Sequence, residues 1–163
     1  MQLNIKRLDE GIPVPSYAKA GDAGFDLRAT REFTIYPGET VMVGTGIAVE
    51  IPEGYNGEVR PRSGIASRRG LAPINAPGTI DSGYRGEIMV PLHNFNAPVR
   101  IGYSSDTGDP CVVFATDAGQ LVKRGERIAQ LVITPCVQAE FSEVADLADT
   151  ERGADGFGSS GAM

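Results

Sequence analysis

Thr40-Val41-Met42-Val43-Gly44-Thr45-Gly46-Ile47-Ala48-Val49-Glu50-Ile51, closed by Pro52-Glu53-Gly54, is the stretch that decides the fold class. β-Branched residues recur through it, and proline with glycine ends it, which is the signature of strand followed by turn. Just upstream, Phe33-Thr34-Ile35-Tyr36 runs into Pro37-Gly38, another turn pair. Downstream, residues 87–92, 111–114 and 128–133 read as further strands of the same kind. Short strands with turns at regular spacing predict an all-β subunit, a jelly roll or distorted barrel. One short helix is expected over residues 63–70, with Ser63 as its N-cap and Gly70 as its stop.

The bulk composition agrees. A chain of 163 residues with 41% hydrophobic content suits one packed domain, and 21 glycines with 11 prolines suit strands joined by tight turns. Residues 1–7 hold no long apolar stretch and no run elsewhere could span a bilayer, so neither a signal peptide nor a membrane anchor is expected, and the cytoplasm is the expected compartment. Cys111 and Cys136 each lie in an apolar, strand-like segment and read as buried free thiols. His93 is the sole histidine, which sets aside a metal held by His and Cys side chains. A net charge of −6 argues against sequence-independent binding to long nucleic acid. Yet Arg60, Arg62, Arg68 and Arg69 crowd one short stretch, and twelve of the fifteen basic residues are arginine, whose planar fork suits phosphate oxygens.

Two stretches stand apart. Residues 95–123 form a long connection containing the polar run 102–109, expected as a surface loop. From residue 146 the chain turns acidic and then glycine-rich, ending Arg152-Gly153-Ala154-Asp155-Gly156-Phe157-Gly158-Ser159-Ser160-Gly161. The expected division is a β domain over 1–145 and a flexible arm over 146–163.

Three places offer chemistry. Arg62-Ser63-Gly64 opens the helix, where unpaired N–H groups, a guanidinium and a hydroxyl could meet an anion; an ordinary capped helix with a surface arginine is the plainer alternative. In Asn75-Ala76-Pro77-Gly78-Thr79-Ile80-Asp81-Ser82-Gly83-Tyr84-Arg85-Gly86, two turns flank Ile80-Asp81 and set a carboxylate beside apolar surface. Partial desolvation there would favour accepting a proton. Tyr84 offers a flat face for a sugar or base, and Asn75 the paired donor and acceptor that a pyrimidine edge needs. A turn aspartate bonding its own backbone is the alternative. The glycine-rich tail could wrap phosphates through backbone N–H groups, although it lacks the lysine of a P-loop.

Five motifs stand in order along the chain: Asp22-Ala23-Gly24-Phe25-Asp26-Leu27, Pro61-Arg62-Ser63-Gly64-Ile65-Ala66, the stretch from Gly78 to Glu87, Gly125-Glu126-Arg127-Ile128-Ala129-Gln130-Leu131, and the tail from Arg152. Together they resemble the trimeric deoxyuridine triphosphatase (dUTPase) family, from about residue 5 to the C-terminus. The resemblance implies a homotrimer of jelly-roll subunits that exchange their C-terminal arms and share active sites. It implies that dUTP is cleaved to dUMP and pyrophosphate with Mg²⁺, limiting uracil in DNA and supplying dUMP for dTMP synthesis. Arg62, Ser63, Gly64 and Gln130 would hold the phosphates from one subunit, and Asn75, Asp81 and Tyr84 would come from a neighbour with Asp81 as general base. The third subunit would bring Arg152 and Ser159 to the γ-phosphate and Phe157, followed by Gly158, to the uracil, while Asp26 would act on Mg²⁺ through a water.

Asp155 departs from this pattern, standing where the family usually has glycine. The nearest rival of the same fold, deoxycytidine triphosphate deaminase, resembles the chain less: Pro91 stands where that enzyme needs a proton-moving glutamate, and Tyr84 where it tends to have tryptophan. A protein partner docking at the 95–123 insert is a further reading.

Overall fold

The computed structural model describes residues 1–97, 99–103, 106–114 and 119–154. The 40–51 run forms two strands rather than one, β4 (Thr40–Gly44) and β5 (Ile47–Glu50). Gly46 makes the break. Its φ is +71°, and a Cβ there would lie 2.9 Å from the Asp9 Cβ and 3.0 Å from the Thr30 Cγ2, so conformation and close approach both require glycine. The buried Thr45 hydroxyl donates to the Ile88 carbonyl at 2.7 Å, and the Gly46 N–H donates to Glu87 Oε1 at 2.8 Å. Glu87 and Ile88 are thereby drawn to the break, and the strand expected from residue 87 begins two residues later, as β9 (Met89–Asn94).

The chain is otherwise β1 (Asn4–Arg7), β2 (Gly24–Arg28), β3 (Phe33–Ile35), β6 (Tyr55–Arg60), β7 (Leu71–Pro73), β8 (Gly78–Ile80), β10 (Val99–Tyr103), β11 (Pro110–Phe114), β12 (Gln120–Val122) and β13 (Arg127–Pro135). A four-stranded sheet runs β2-β13-β6-β8, a three-stranded one β4-β9-β7, and β1-β5, β3-β12 and β10-β11 pair separately. Every pairing is antiparallel. This is the expected all-β architecture, but among the described residues the sheets do not close into a barrel. Within the long connection β10 and β11 make their own hairpin, and β12 returns to β3 with Val122 fully buried.

The core lies between these sheets and includes Leu27, Ile35, Val43, Leu92, Ile128 and Leu131. Leu131 sits in the central strand between Phe25 and Val59 and is 0% exposed. Leu131→Ala is expected to cost about 3 kcal/mol, the usual toll of lost burial plus a residual cavity. Urea unfolding measures this, and a midpoint shift worth less than about 1 kcal/mol would contradict such packing.

The one helix among the described residues is α1 (Ser63–Arg69). Its N-cap is Arg62, in extended conformation and without a side-chain cap, so the expectation of Ser63 as cap is corrected by one residue. Gly70 closes it as expected, left-handed at φ 66° with its N–H on the Ala66 carbonyl. A second correction concerns Cys136. It follows the last residue of β13 and is exposed, because the apolar run ends before it. No helix among the described residues is long and apolar enough to cross a membrane.

Candidate active site

Antiparallel pairing places Gln130 of β13 opposite Asp26 of β2 on one side and Arg60 of β6 on the other. The Gln130 amide donates to the Pro61 carbonyl at 2.8 Å, tying the link between β6 and α1 to the sheet. Arg62 follows, and its Nε lies 2.6 Å from Asp26 Oδ1. Arg127 reaches the other carboxylate oxygen, 3.2 Å from Asp26 Oδ2. These side chains line a cleft of ≈ 380 Å³ together with Asp22, Gly24, Ser63 and Gly64. The first helical bonds run from the Ile65 and Ala66 N–H groups to the Arg62 carbonyl, so the amides of Ser63 and Gly64 stand ahead of the ladder at the cleft wall.

The clustered arginines divide by partner. Arg60 is bonded to Glu58 at 2.5 and 2.8 Å, and that bond holds the Glu58 carboxyl below its usual range. Arg69 is taken by Glu126, by Gln120 at 3.1 Å and by the Leu121 carbonyl at 2.5 Å. Arg62 lines the cleft. Arg68 turns back over Gly64, where a Cβ would lie 2.7 Å from its Nη2. Two of the four arginines, Arg60 and Arg69, are thus committed to carboxylates outside the cleft, while Arg62 and Arg68 stand by the helix start.

Asp81 lies elsewhere. It follows β8, whose Ile80 pairs with Gly57, and it borders a second cleft of ≈ 580 Å³ with Glu53, Tyr55, Asn56, Ser82 and Cys136. Along β6 the step from Asn56 to Arg60 spans roughly 13 Å, and two strand spacings of about 4.8 Å separate β8 from β13. Asp81 and the Arg62–Gln130 cleft therefore occupy opposite ends of one sheet. In the single chain Asp81 is exposed, with Ile80 before it and Ser82 after it half-buried.

Asn75 and Tyr84 are close to Asp81 in sequence and exposed like it. The Tyr84 hydroxyl donates to the Glu87 carbonyl at 2.9 Å, which fixes the ring across Gly86. Arg152 sits in an exposed turn closed by the Gly153 N–H on the Thr150 carbonyl at 3.1 Å. Asp155, Phe157, Gly158 and Ser159 lie outside the described residues.

Arg127 was not singled out by the sequence reading. The β2–β13 register slips between Arg127 and Ala129, making Ile128 the extra residue of a β-bulge, and Ile128 and Ala129 are both buried. On an unbroken strand, residues three apart face opposite sides. The bulge brings Arg127 round to the side of Gln130, and nothing in the residue pattern announces it.

Two guanidiniums, a carboxamide and leading helix amides in a single cleft, with the carboxylates of Asp22 and Asp26, are the equipment of a polyphosphate-binding protein. A family model described as dUTPase matches residues 10–104 and 103–161. Over 163 residues the chain is 47% identical to the deoxyuridine 5'-triphosphate nucleotidohydrolase of Thermobifida fusca, covering 99% of this chain and 79% of that one. Among solved structures, the Staphylococcus bacteriophage 80alpha dUTPase with dUPNHPP superposes with a TM-score of 0.80 at 30% identity, covering 99% of each chain. The dUTPase from phage phi11 of S. aureus, whose structure concerns a structural Mg(II) ion, gives 0.73 at 28% identity, with 90% of this chain and 98% of that one covered. The chain belongs to the dUTPase family of enzymes.

Proposed function

We propose that the protein cleaves dUTP to dUMP and pyrophosphate at a site assembled from three copies of the chain. Family membership supports the reaction. The observation that carries the shared site is the placement of Asp81 and the Arg62–Gln130 cleft at opposite ends of one sheet. Within one subunit a base at Asp81 is too far from phosphates bound in that cleft; across a subunit boundary the two ends can meet. Residues 136–149 give a second support. Val137 is 92% exposed and Phe141 98%, with Val144 and Leu147 also open, an apolar row that a neighbouring copy would cover. It leads into the arm, 146–163, which would then close over a neighbour's site, with Arg152 and Ser159 at the γ-phosphate and Phe157 and Gly158 at the base.

In this reading Arg62, Ser63, Gly64 and Gln130 hold the triphosphate. A water positioned by the neighbour's Asp81 gives that carboxylate its proton and attacks the α-phosphorus in line. The new P–O bond forms as the bond from the α-phosphorus to the bridging oxygen breaks, and pyrophosphate leaves. Among the described residues no group of three or more His, Cys, Asp or Glu could cage a metal ion. Asp26, a cleft carboxylate between two guanidiniums, would suit instead a Mg²⁺ that arrives on the phosphates and is met through water. When bound, the ion would supply charge neutralisation on the departing pyrophosphate. Selectivity would come from Asn75, pairing with the uracil edge where cytosine is mismatched, and from Tyr84, packed on the deoxyribose without space for a 2′-hydroxyl. The enzyme would work in the cytoplasm, keeping uracil out of DNA and supplying dUMP for dTMP synthesis.

Incubation with Mg²⁺ and each deoxynucleoside triphosphate in turn, measuring pyrophosphate and ammonia, tests the reading. Pyrophosphate from dUTP alone is expected. Ammonia from dCTP would overturn it in favour of deamination, for which Pro91, midway along β9 opposite Met42, offers no proton-transfer group.

A further inference from the structure

Asp26 poses a difficulty for the cleft that holds it. Its Oδ1 lies 2.6 Å from the Nε of Arg62, the guanidinium proposed to grip the phosphates. A triphosphate entering this cleft must take Arg62 away from an ion pair already made. The same carboxylate has a second partner, Arg127, at 3.2 Å from Oδ2. Arg127 is there because of the bulge at Ile128: an unbroken β13 would turn it to the side away from Gln130. Its side chain keeps 48% of its exposure against 26% for Arg62, and it lines the cleft wall. The Arg62 guanidinium also reaches the Arg127 carbonyl at 3.4 Å, so the two arginines bracket one carboxylate from adjoining segments.

We propose that Arg127 is a positioning residue, and that the bulge exists to present it. It holds Asp26 when Arg62 changes partner from carboxylate to phosphate. With Arg127 in place, Asp26 keeps one charged partner throughout and the exchange at Arg62 leaves no carboxylate unpaired. Without it, Asp26 has only Arg62 and competes with the substrate for it. The inference rests on the reading of this cleft as the triphosphate site, and it requires no direct contact between Arg127 and the phosphates.

A double-mutant cycle with a sign separates these possibilities. The dissociation constant of the imido analogue dUPNHPP is measured by titration calorimetry in EDTA, so that neither turnover nor bound metal enters the readout. Asp26→Asn removes the competitor and is expected to tighten binding. Arg127→Ala in the otherwise unaltered chain is expected to weaken it about three- to tenfold, the scale of a half-exposed ion pair, and Arg127→Lys should restore most of the loss. In the Asp26→Asn background, Arg127→Ala is expected to change affinity less than twofold. An equal loss in both backgrounds overturns the proposal, because a direct phosphate contact or a merely structural role predicts that result. Failure of the unaltered chain to bind dUPNHPP would instead overturn the reading of the cleft itself.

Discussion

Asp81→Asn should abolish nearly all turnover of dUTP, by about 10²–10⁴-fold, while leaving dUPNHPP binding within a few-fold of the unaltered chain. The amide keeps the size and one acceptor oxygen of the carboxylate but cannot take the proton of the attacking water. Asp81 is exposed and is absent from the buried core, so the substitution has little to disturb in the fold. Turnover reduced by less than tenfold would remove Asp81 from the role of base.

The same variant tests where the base acts. Arg62→Ala disables the phosphate side and Asp81→Asn the base side. In a cyclic trimer whose sites each take Arg62 from one subunit and Asp81 from the next, every mixed trimer contains one intact site. Equal mixing of the two inactive chains by unfolding and reassembly should therefore return about a quarter of the sites to function. If both residues served one site from the same chain, mixing would return none. The recovered fraction reads the subunit arrangement directly, independent of any crystal.

The strand class, the helix at residues 63–69 and the run Arg62-Ser63-Gly64 at its start were legible in the residues, while Gln130 joined that group only through the family resemblance. Arg62 was legible because it opens the one helix among the described residues. Other features depend on tertiary context. The split at Thr45-Gly46 is invisible because β-branched residues continue on both sides of it; Glu87 and Ile88, forty residues on, supply the hydrogen bonds that hold it. The bulge at Ile128 swaps the facing of Arg127 while leaving the apolar pattern intact, since the extra residue is itself buried. Val99–Tyr103 was missed as a strand because Arg100 and Gly102 interrupt its apolar residues, yet it pairs along its whole length with β11. The distance between Asp81 and Gln130 is likewise a property of sheet order. The resemblance already assigned the two to different subunits; within one chain their separation comes from the β6 register, which puts Gln130 opposite Arg60 and Ile80 opposite Gly57.

Removal of every residue after Asp149 should leave assembly intact and lower dUTP turnover by on the order of 10²-fold or more. Two physical terms lead there. Association is assigned to the apolar row Val137, Phe141, Val144 and Leu147, all of which the truncated chain retains. Charge stabilisation at the far phosphates is assigned to Arg152 and the hydroxyl and backbone donors beyond it, all of which it loses. A lid of this kind also excludes water, which strengthens every remaining interaction between phosphate and guanidinium. The two assignments separate in the measurements: light scattering should report a trimer, lighter only by the missing residues, while turnover falls. Arg152→Ala in the full chain should reproduce part of the loss, because the remaining arm can still cover the base. Loss of the trimer on truncation would move the association surface beyond Asp149, and an unchanged rate would remove the arm from the site altogether.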